Sequence, residues 1–340
     1  MSNNQVLIYP GFNCWRYSFY IRGLQHVFPK FKMNFKPDLF PKFHHHALPL
    51  VIGKNPGLKI YISAGDGPGY NQQGLEWCDV YAKRTLLKEE VPKEYAEKII
   101  PSGPHHGLRV WSLPVAVFHA LRAYNSCPDC IDNFRTHLLG YIRQYTYRLP
   151  ESAFVPGQSE SDYVFYASTL YPTHPQYNKY RATFIQACQK TPGLEFEGGL
   201  LRADDFRVPE YRDITISEYY RPRTWMEKIK KSALGFWAPG DQGAMTLKLA
   251  EFMAYGKAII AVPIRQEMLP APLRHGEQVH FVDGSLEDMQ AAVRYITQDH
   301  AYRQKLERNA RAYYDEWVAP KQAIQRFIQY GIDHTHFEIS

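Results

Sequence analysis

Two hydrophobic periods alternate along this chain of 340 residues. Short apolar runs at 6–9, 58–63 and 99–101 each break into proline, glycine or serine, the pattern of buried strands that end in loops. Apolar residues recur at helical spacing over 18–27, 114–124 and 132–147. Residues 77–81 read as a further short strand. Residues 29–57, rich in proline, lysine and phenylalanine around His44, His45 and His46, read as irregular surface loop. A proline-, glycine- and serine-bearing stretch at 148–161 reads as a linker, and the alternation then restarts. Strands are expected over 163–167, 194–197, 233–238, 258–262 and 279–282. Helices are expected over 179–189, 225–231, 246–254, 286–298, 301–314 and 322–330. Strand–helix alternation on both sides of a linker predicts an α/β protein with two domains, each on a parallel sheet. The expected division is 1–155, 156–318 and a last helical segment at 319–340.

The stretch 239–263 carries the densest chemistry. Pro239, Gly240 and Gly243 form a loop, a helix follows, Gly256 is placed to cap its end, and 258–262 is a continuously apolar strand. A helix that starts beside glycines leaves its first N–H groups open and its positive dipole end facing the loop, which is an anion site. Gly243, Ala244, Met245 and Thr246 lie at that start, and Lys248 adds a cation. Glu251, one turn on, is placed to accept hydrogen bonds from a pair of sugar hydroxyls. Phosphate at the helix start and ribose one turn below suit a nucleoside diphosphate. Arg181, near a helix start after the first strand of the second half, is a further candidate cation for it, beside Asn178.

The run KLAEFMAYGKAII at 248–260 resembles the KLxEYMAxGKPII segment of nucleotide-sugar glycosyltransferases with the GT-B fold, and the resemblance extends over roughly residues 232–320. It implies two Rossmann-like domains facing a cleft, with the donor nucleotide on the C-terminal one, a glycan or lipid-linked acceptor on the N-terminal one, and a C-terminal helix, here 319–340, that packs back on the N-terminal domain. It also implies that Glu251 holds the ribose while 243–246 face the diphosphate. The expected activity is sugar transfer to a hydroxyl, in bacterial surface polysaccharide or glycoconjugate synthesis. Ala244 stands where many retaining members of that family carry a second glutamate. The alternatives are a nucleotide-sugar or glycan-binding protein that keeps the fold without transfer, and a GT-B-like epimerase or phosphorylase.

Composition narrows these readings. Hydrophobic residues make up 45% of the chain, enough for two buried cores. The net charge of +6, with lysine and arginine scattered, favours anionic ligands or an anionic membrane face and lacks the clustered basic stripe of a nucleic-acid binder. Five cysteines at irregular spacing argue against a disulfide framework, and Cys127 and Cys130, a lone CxxC, read as a loop. Asp204 and Asp205 are adjacent rather than spaced as a DxD pair, so no divalent ion and no cofactor besides the nucleotide-sugar co-substrate is expected. No GxGxxG follows a strand, and no apolar run reaches the roughly 18 residues of a membrane span. The expected location is cytoplasmic, with peripheral contact at the inner membrane face as a further expectation.

The first half supplies acid–base candidates. Gly11 and Asn13 follow the first strand and are candidates to line the acceptor crevice. Asp66, fixed between glycines after the 58–63 strand, is either a general base toward an acceptor hydroxyl or the closing residue of an Asx-turn. His105 and His106, after the 99–101 strand, are either bases or phosphate partners, or ordinary turn histidines.

Overall fold

A computed structural model of the chain describes residues 5–43, 47–53, 57–171, 174–201 and 209–335. The histidines at 44–46 and the Asp204–Asp205 pair lie outside them. The chain forms two compact units. One comprises Met1–Glu151, Glu267–Pro270 and Trp317–Ser340; the other comprises Ser152–Gln266 and Ala271–Glu316. Both are α/β, with parallel strand pairs in their sheets.

In the first unit five strands stand side by side in chain order: β1 (Val6–Ile8), β2 (Leu48–Ile52), β3 (Leu58–Ser63), β4 (Val80–Lys83) and β5 (Ile99–Pro101). β2 runs antiparallel to both neighbours, whereas β4 and β5 run parallel to β3. The carboxyl ends of β1, β3, β4 and β5 therefore share one edge. β2 falls in the stretch read as irregular. Its five residues are all buried, and Pro49 lies opposite Tyr9, one residue past the end of β1, so the missing N–H falls at a frayed end of the ladder. The strand expected at 77–81 is instead the end of helix α2 (Gln72–Trp77) followed by β4. Asn71 starts that helix, its Oδ1 accepting from the Gly74 N–H at 2.6 Å. Helices α1 (Cys14–Val27), α3 (Leu113–Ser126) and α4 (Phe134–Thr146) complete this part of the unit. Cys127 and Cys130 are joined by a disulfide in the turn after α3, so the CxxC read as a plain loop is a covalently closed one.

The second unit is built on β6 (Tyr163–Thr169), α5 (Pro175–Gln189), β7 (Glu195–Leu201), β8 (Thr215–Ile216), α6 (Pro222–Lys231), β9 (Leu234–Trp237), α7 (Leu247–Ala254), β10 (Ala258–Ala261), β11 (His280–Phe281), α8 (Leu286–Gln298) and α9 (His300–Tyr313). Parallel ladders join β6 to β7 and β7 to β8, and β9 to β10 and β10 to β11. β6 and β9 lie next to each other. The Ala233 N–H donates to the Tyr163 carbonyl at 2.7 Å. The buried Ser232 hydroxyl accepts from the Phe165 N–H at 3.0 Å and donates to the Leu234 carbonyl at 2.7 Å. The spatial order is thus β8-β7-β6-β9-β10-β11, the Rossmann order, in which the chain leaves the central strand first to one side and later to the other. Phe184 from α5 and Phe236 from β9 stack at 4.4 Å under this junction.

The last helix, α10 (Pro320–His334), belongs to the first unit and packs on α1. Gly23 makes that approach feasible, because a Cβ there would lie 2.2 Å from the Pro320 carbonyl oxygen. Arg326 of α10 donates to the carbonyls of Pro101 and Ser102 at 2.6 and 3.0 Å, tying the helix to the end of β5. The segment Glu267–Pro270 also belongs to this unit, with Pro270 against Gly103.

The junction of β6 and β9 yields a stability prediction. Ser232→Ala leaves the buried Phe165 N–H without its acceptor and is expected to destabilise the protein by about 1–3 kcal/mol. Urea denaturation checks this, and an unchanged midpoint contradicts the bridging role.

Candidate functional site

The residues singled out in the second half converge at the carboxyl ends of β6 and β9, where the strand order reverses and α/β proteins bind ligands. The loop between β9 and α7 turns through Gln242 (φ 52) and Gly243 (φ 75), both left-handed. Glycine is suited to the second position, where an added Cβ would also meet the Tyr177 hydroxyl at 3.3 Å. From α5 and the turn before it, His174 reaches the same loop. Its Nε2 lies 2.8 Å from both the Gln242 backbone nitrogen and an Asp241 carboxylate oxygen, so the tautomer decides which of the two it bonds. Thr246 is the N-cap of α7 and its side chain makes no capping bond; its Oγ1 is buried without a partner among the described residues. At the other end Gly256 (φ 60) closes the helix, as its sequence position predicts: the N–H of Gly256 donates to Met253 and that of Lys257 to Phe252.

The structure divides the candidate donor residues into two kinds. Ala244 and Met245 bury their side chains, and the Ala244 N–H is already spent on the Asp241 carbonyl at 2.9 Å. Among the described residues of this loop, the backbone around Thr246 and the first turn of α7 offers N–H groups to an anion. Arg181 is buried beneath the loop. One Nη donates to the Pro239 carbonyl, the other has no partner among the described residues, and the guanidinium lies over the Tyr171 ring at 4.8 Å. It braces the loop from below and adds positive field there. Lys248 donates to the Ala167 carbonyl at 2.7 Å and lies over the rings of Tyr166 and Trp225 at 4.9 and 5.3 Å. Burial, together with the Arg181 charge, lowers its pKa to about 7, partly opposed by Glu251. Glu251 is half-buried on the same helix, close enough to feel that ammonium.

In the first unit the loops after β3, β4 and β5 meet at the shared edge. Lys83 and Arg84, at the end of β4, are buried and organise the glycine loop. Lys83 Nζ donates to the carbonyls of Gly67 and Gly69 at 2.8 and 2.6 Å, and Arg84 pairs with Asp66. Burial, with Arg84 beside it, lowers the Lys83 pKa to about 8. The Asp66 side chain remains 47% exposed. His105 and His106 are both buried. Burial, followed by the Arg84 charge, holds the His105 imidazole well below its usual range; burial lowers His106 to about 3. Both rings are neutral at pH 7 and packed against Phe19. Arg84 thus pairs with Asp66 and its charge acts on His105, and Asp66 is left as the candidate with a solvent-facing acceptor.

Gly11 and Asn13 line a cavity of about 160 Å³ together with Ile131, Asn133, Thr136 and His137. Asn13 caps α1 and Asn133 caps α4, so two helix starts face this space. The contribution of α4 was not legible, because nothing local to 132–137 indicates that its start lies beside Gly11. Among the described residues no group of three or more histidine, cysteine, aspartate or glutamate side chains is placed to hold a metal ion.

No family model matches the chain, and no curated protein does. Solved structures with which it aligns include TarM, at 11% identity over 52% of this chain and 36% of that one, TM-score 0.39. Anabaena HepE in complex with UDP-glucose aligns at 12% identity over 76% and 79%, TM-score 0.38. A glycosyltransferase from Rickettsia africae aligns at 10% identity over 81% and 70%, TM-score 0.46. The chain spans 36% of the length of TarM. The functional reading therefore rests on the geometry of the two units.

Lys248 gives the site a pH signature. An ammonium that titrates near pH 7 must be protonated to meet a diphosphate, so binding takes up a proton above that pH. Calorimetric affinity for a nucleoside diphosphate is expected to fall from about pH 7 to about pH 9, by up to tenfold per pH unit. In Lys248→Met the fall disappears; a slope that persists in the variant contradicts the assignment.

Proposed function

We propose that the chain is a nucleotide-sugar glycosyltransferase, with the donor held by the second unit and the acceptor by the first. The observation that carries this reading is the start of α7. Its first turn has no side-chain cap, it sits where the Rossmann strand order reverses, and the buried Arg181 and half-buried Lys248 supply positive field from below. When the bond from the sugar C1 to the diphosphate breaks, the electron pair leaves with the phosphate oxygen. N–H groups and an ammonium fixed in advance stabilise that charge without reorganisation. Glu251, one turn down, accepts from the ribose hydroxyls. On the acceptor side Asp66, positioned by Arg84, takes the proton as the acceptor oxygen bonds to C1. This assignment needs no divalent ion at the diphosphate. The acceptor is a glycan or a lipid-linked glycan, and the setting is synthesis of a surface polysaccharide or glycoconjugate in the cytoplasm.

A second reading, a sugar-nucleotide-binding protein that does not transfer, is favoured by the ion pair on Asp66 and the burial of His105 and His106.

Two variants test these readings. Glu251→Ala is expected to weaken nucleoside diphosphate binding by about 1.5–3 kcal/mol in calorimetry, with the melting temperature unchanged; unaltered affinity rejects the ribose role. Asp66→Asn is expected to lower turnover of a nucleotide-sugar on the order of a hundredfold while donor affinity holds. Wild-type turnover in that variant removes Asp66 as the base. Binding with no turnover of any nucleotide-sugar in the wild-type protein supports the second reading.

A further inference from the structure

Helix α3 is built inside out. The residues it buries are small, Ala116, Ala120 and Ala123. The residues it exposes are large and apolar: Leu113, Val115, Phe118 and Leu121, with Phe118 55% and Leu121 44% exposed. A helix whose apolar face served only its own core would turn these side chains inward. Four large hydrophobic side chains turned outward along one helix mark a surface that something covers.

The surrounding charge says what covers it. Between residues 102 and 150 the chain has five arginines, no lysine, no glutamate and only two aspartates, Asp129 and Asp132, so about half of the net charge of +6 is concentrated there. Neither α3 nor α4, which packs beside it, contains an acidic residue. Arg122 lies over the Phe118 ring at 5.6 Å, and Arg135 and Arg143 are exposed on α4. Tyr147, at the end of α4, is also exposed and rests edge-on against Trp15. An apolar strip rimmed by arginine and interfacial aromatics matches a bilayer surface that bears anionic headgroups. A second copy of the chain is the poorer occupant. A two-fold interface sets a patch against itself, and this one would oppose arginine to arginine with no carboxylate on either helix to relieve it. Spanning is also excluded for α3: its 14 residues reach about 21 Å, short of the roughly 30 Å hydrocarbon core, and no helix among the described residues is long and apolar enough to cross a membrane.

We infer that α3 lies in the plane of an anionic membrane surface, with Phe118 and Leu121 inserted below the headgroups and Arg122, Arg135 and Arg143 at their level. The inference stands on this face alone and is independent of the chemistry assigned above.

Co-sedimentation of the full chain with vesicles tests it. The wild-type protein is expected to pellet with phosphatidylcholine vesicles containing about a third phosphatidylglycerol, weakly with phosphatidylcholine alone, and less in about 0.5 M salt. Phe118→Asp with Leu121→Asp is expected to cut partitioning by about tenfold or more with circular dichroism and melting temperature unchanged. Arg122→Gln, which leaves the apolar strip intact and keeps the test open if the double variant misfolds, should cut it about fivefold. No partitioning of the wild-type chain, or partitioning of both variants equal to that of the wild type, overturns the inference. So does a wild-type dimer in sedimentation equilibrium that the double variant dissociates.

Discussion

Strands β6 and β9 stand side by side, yet the chain leaves β6 toward one edge of the sheet and β9 toward the other. No helix can cover both carboxyl ends at once, so a gap opens there by topology. Three of the second unit's buried polar groups serve the strand junction and the loops beside the gap. Ser232 closes the strand junction below. Arg181 and Asn178 pin the loop backbones on either side of α5, the first through the Pro239 carbonyl and the second by paired bonds to Tyr171 at 2.9 and 2.7 Å. The start of α7 is held at the gap without being capped from within.

The first unit solves a related problem with different means. Its glycine loop after β3 has too little side chain to hold itself, and two buried cations from β4 do the holding: Lys83 through loop carbonyls and Arg84 through Asp66. Burying two cations side by side is costly, and the lowered Lys83 pKa reflects it. The carbonyl dipoles and the Asp66 carboxylate offset that cost, which is why Asp66 has a fixed position while still facing solvent.

What the sequence made legible was local. The helix from Thr246 onward, its stop at Gly256 and the buried strand after it follow from apolar spacing and backbone conformation over some twenty residues, and the structure has all three. What escaped depended on partners far along the chain. β2 is a strand because β1 and β3 flank it, and Pro49 obscured it. β4 was displaced by three residues because Trp77 and Cys78 extend its apolar run into what is the end of α2. That displacement hid the role of Lys83 and Arg84, which become site residues only once they are inside the strand and at its end. Alternation of helices and strands predicts a parallel sheet but not its order, so the reversal between β6 and β9 became visible only in three dimensions. The burial of His105 and His106 was likewise invisible, since a histidine after a strand reads the same in a turn as packed against Phe19 of α1.

Hydrogen–deuterium exchange across residues 241–254, with and without nucleoside diphosphates, tests most directly whether the open end of α7 is an anion site. The account predicts that at least one of the uridine, guanosine and adenosine diphosphates slows exchange at the Thr246, Leu247 and Lys248 amides, and that the matching nucleoside without phosphates does not. Exchange at those amides that is unchanged by every diphosphate at saturating concentration would contradict it.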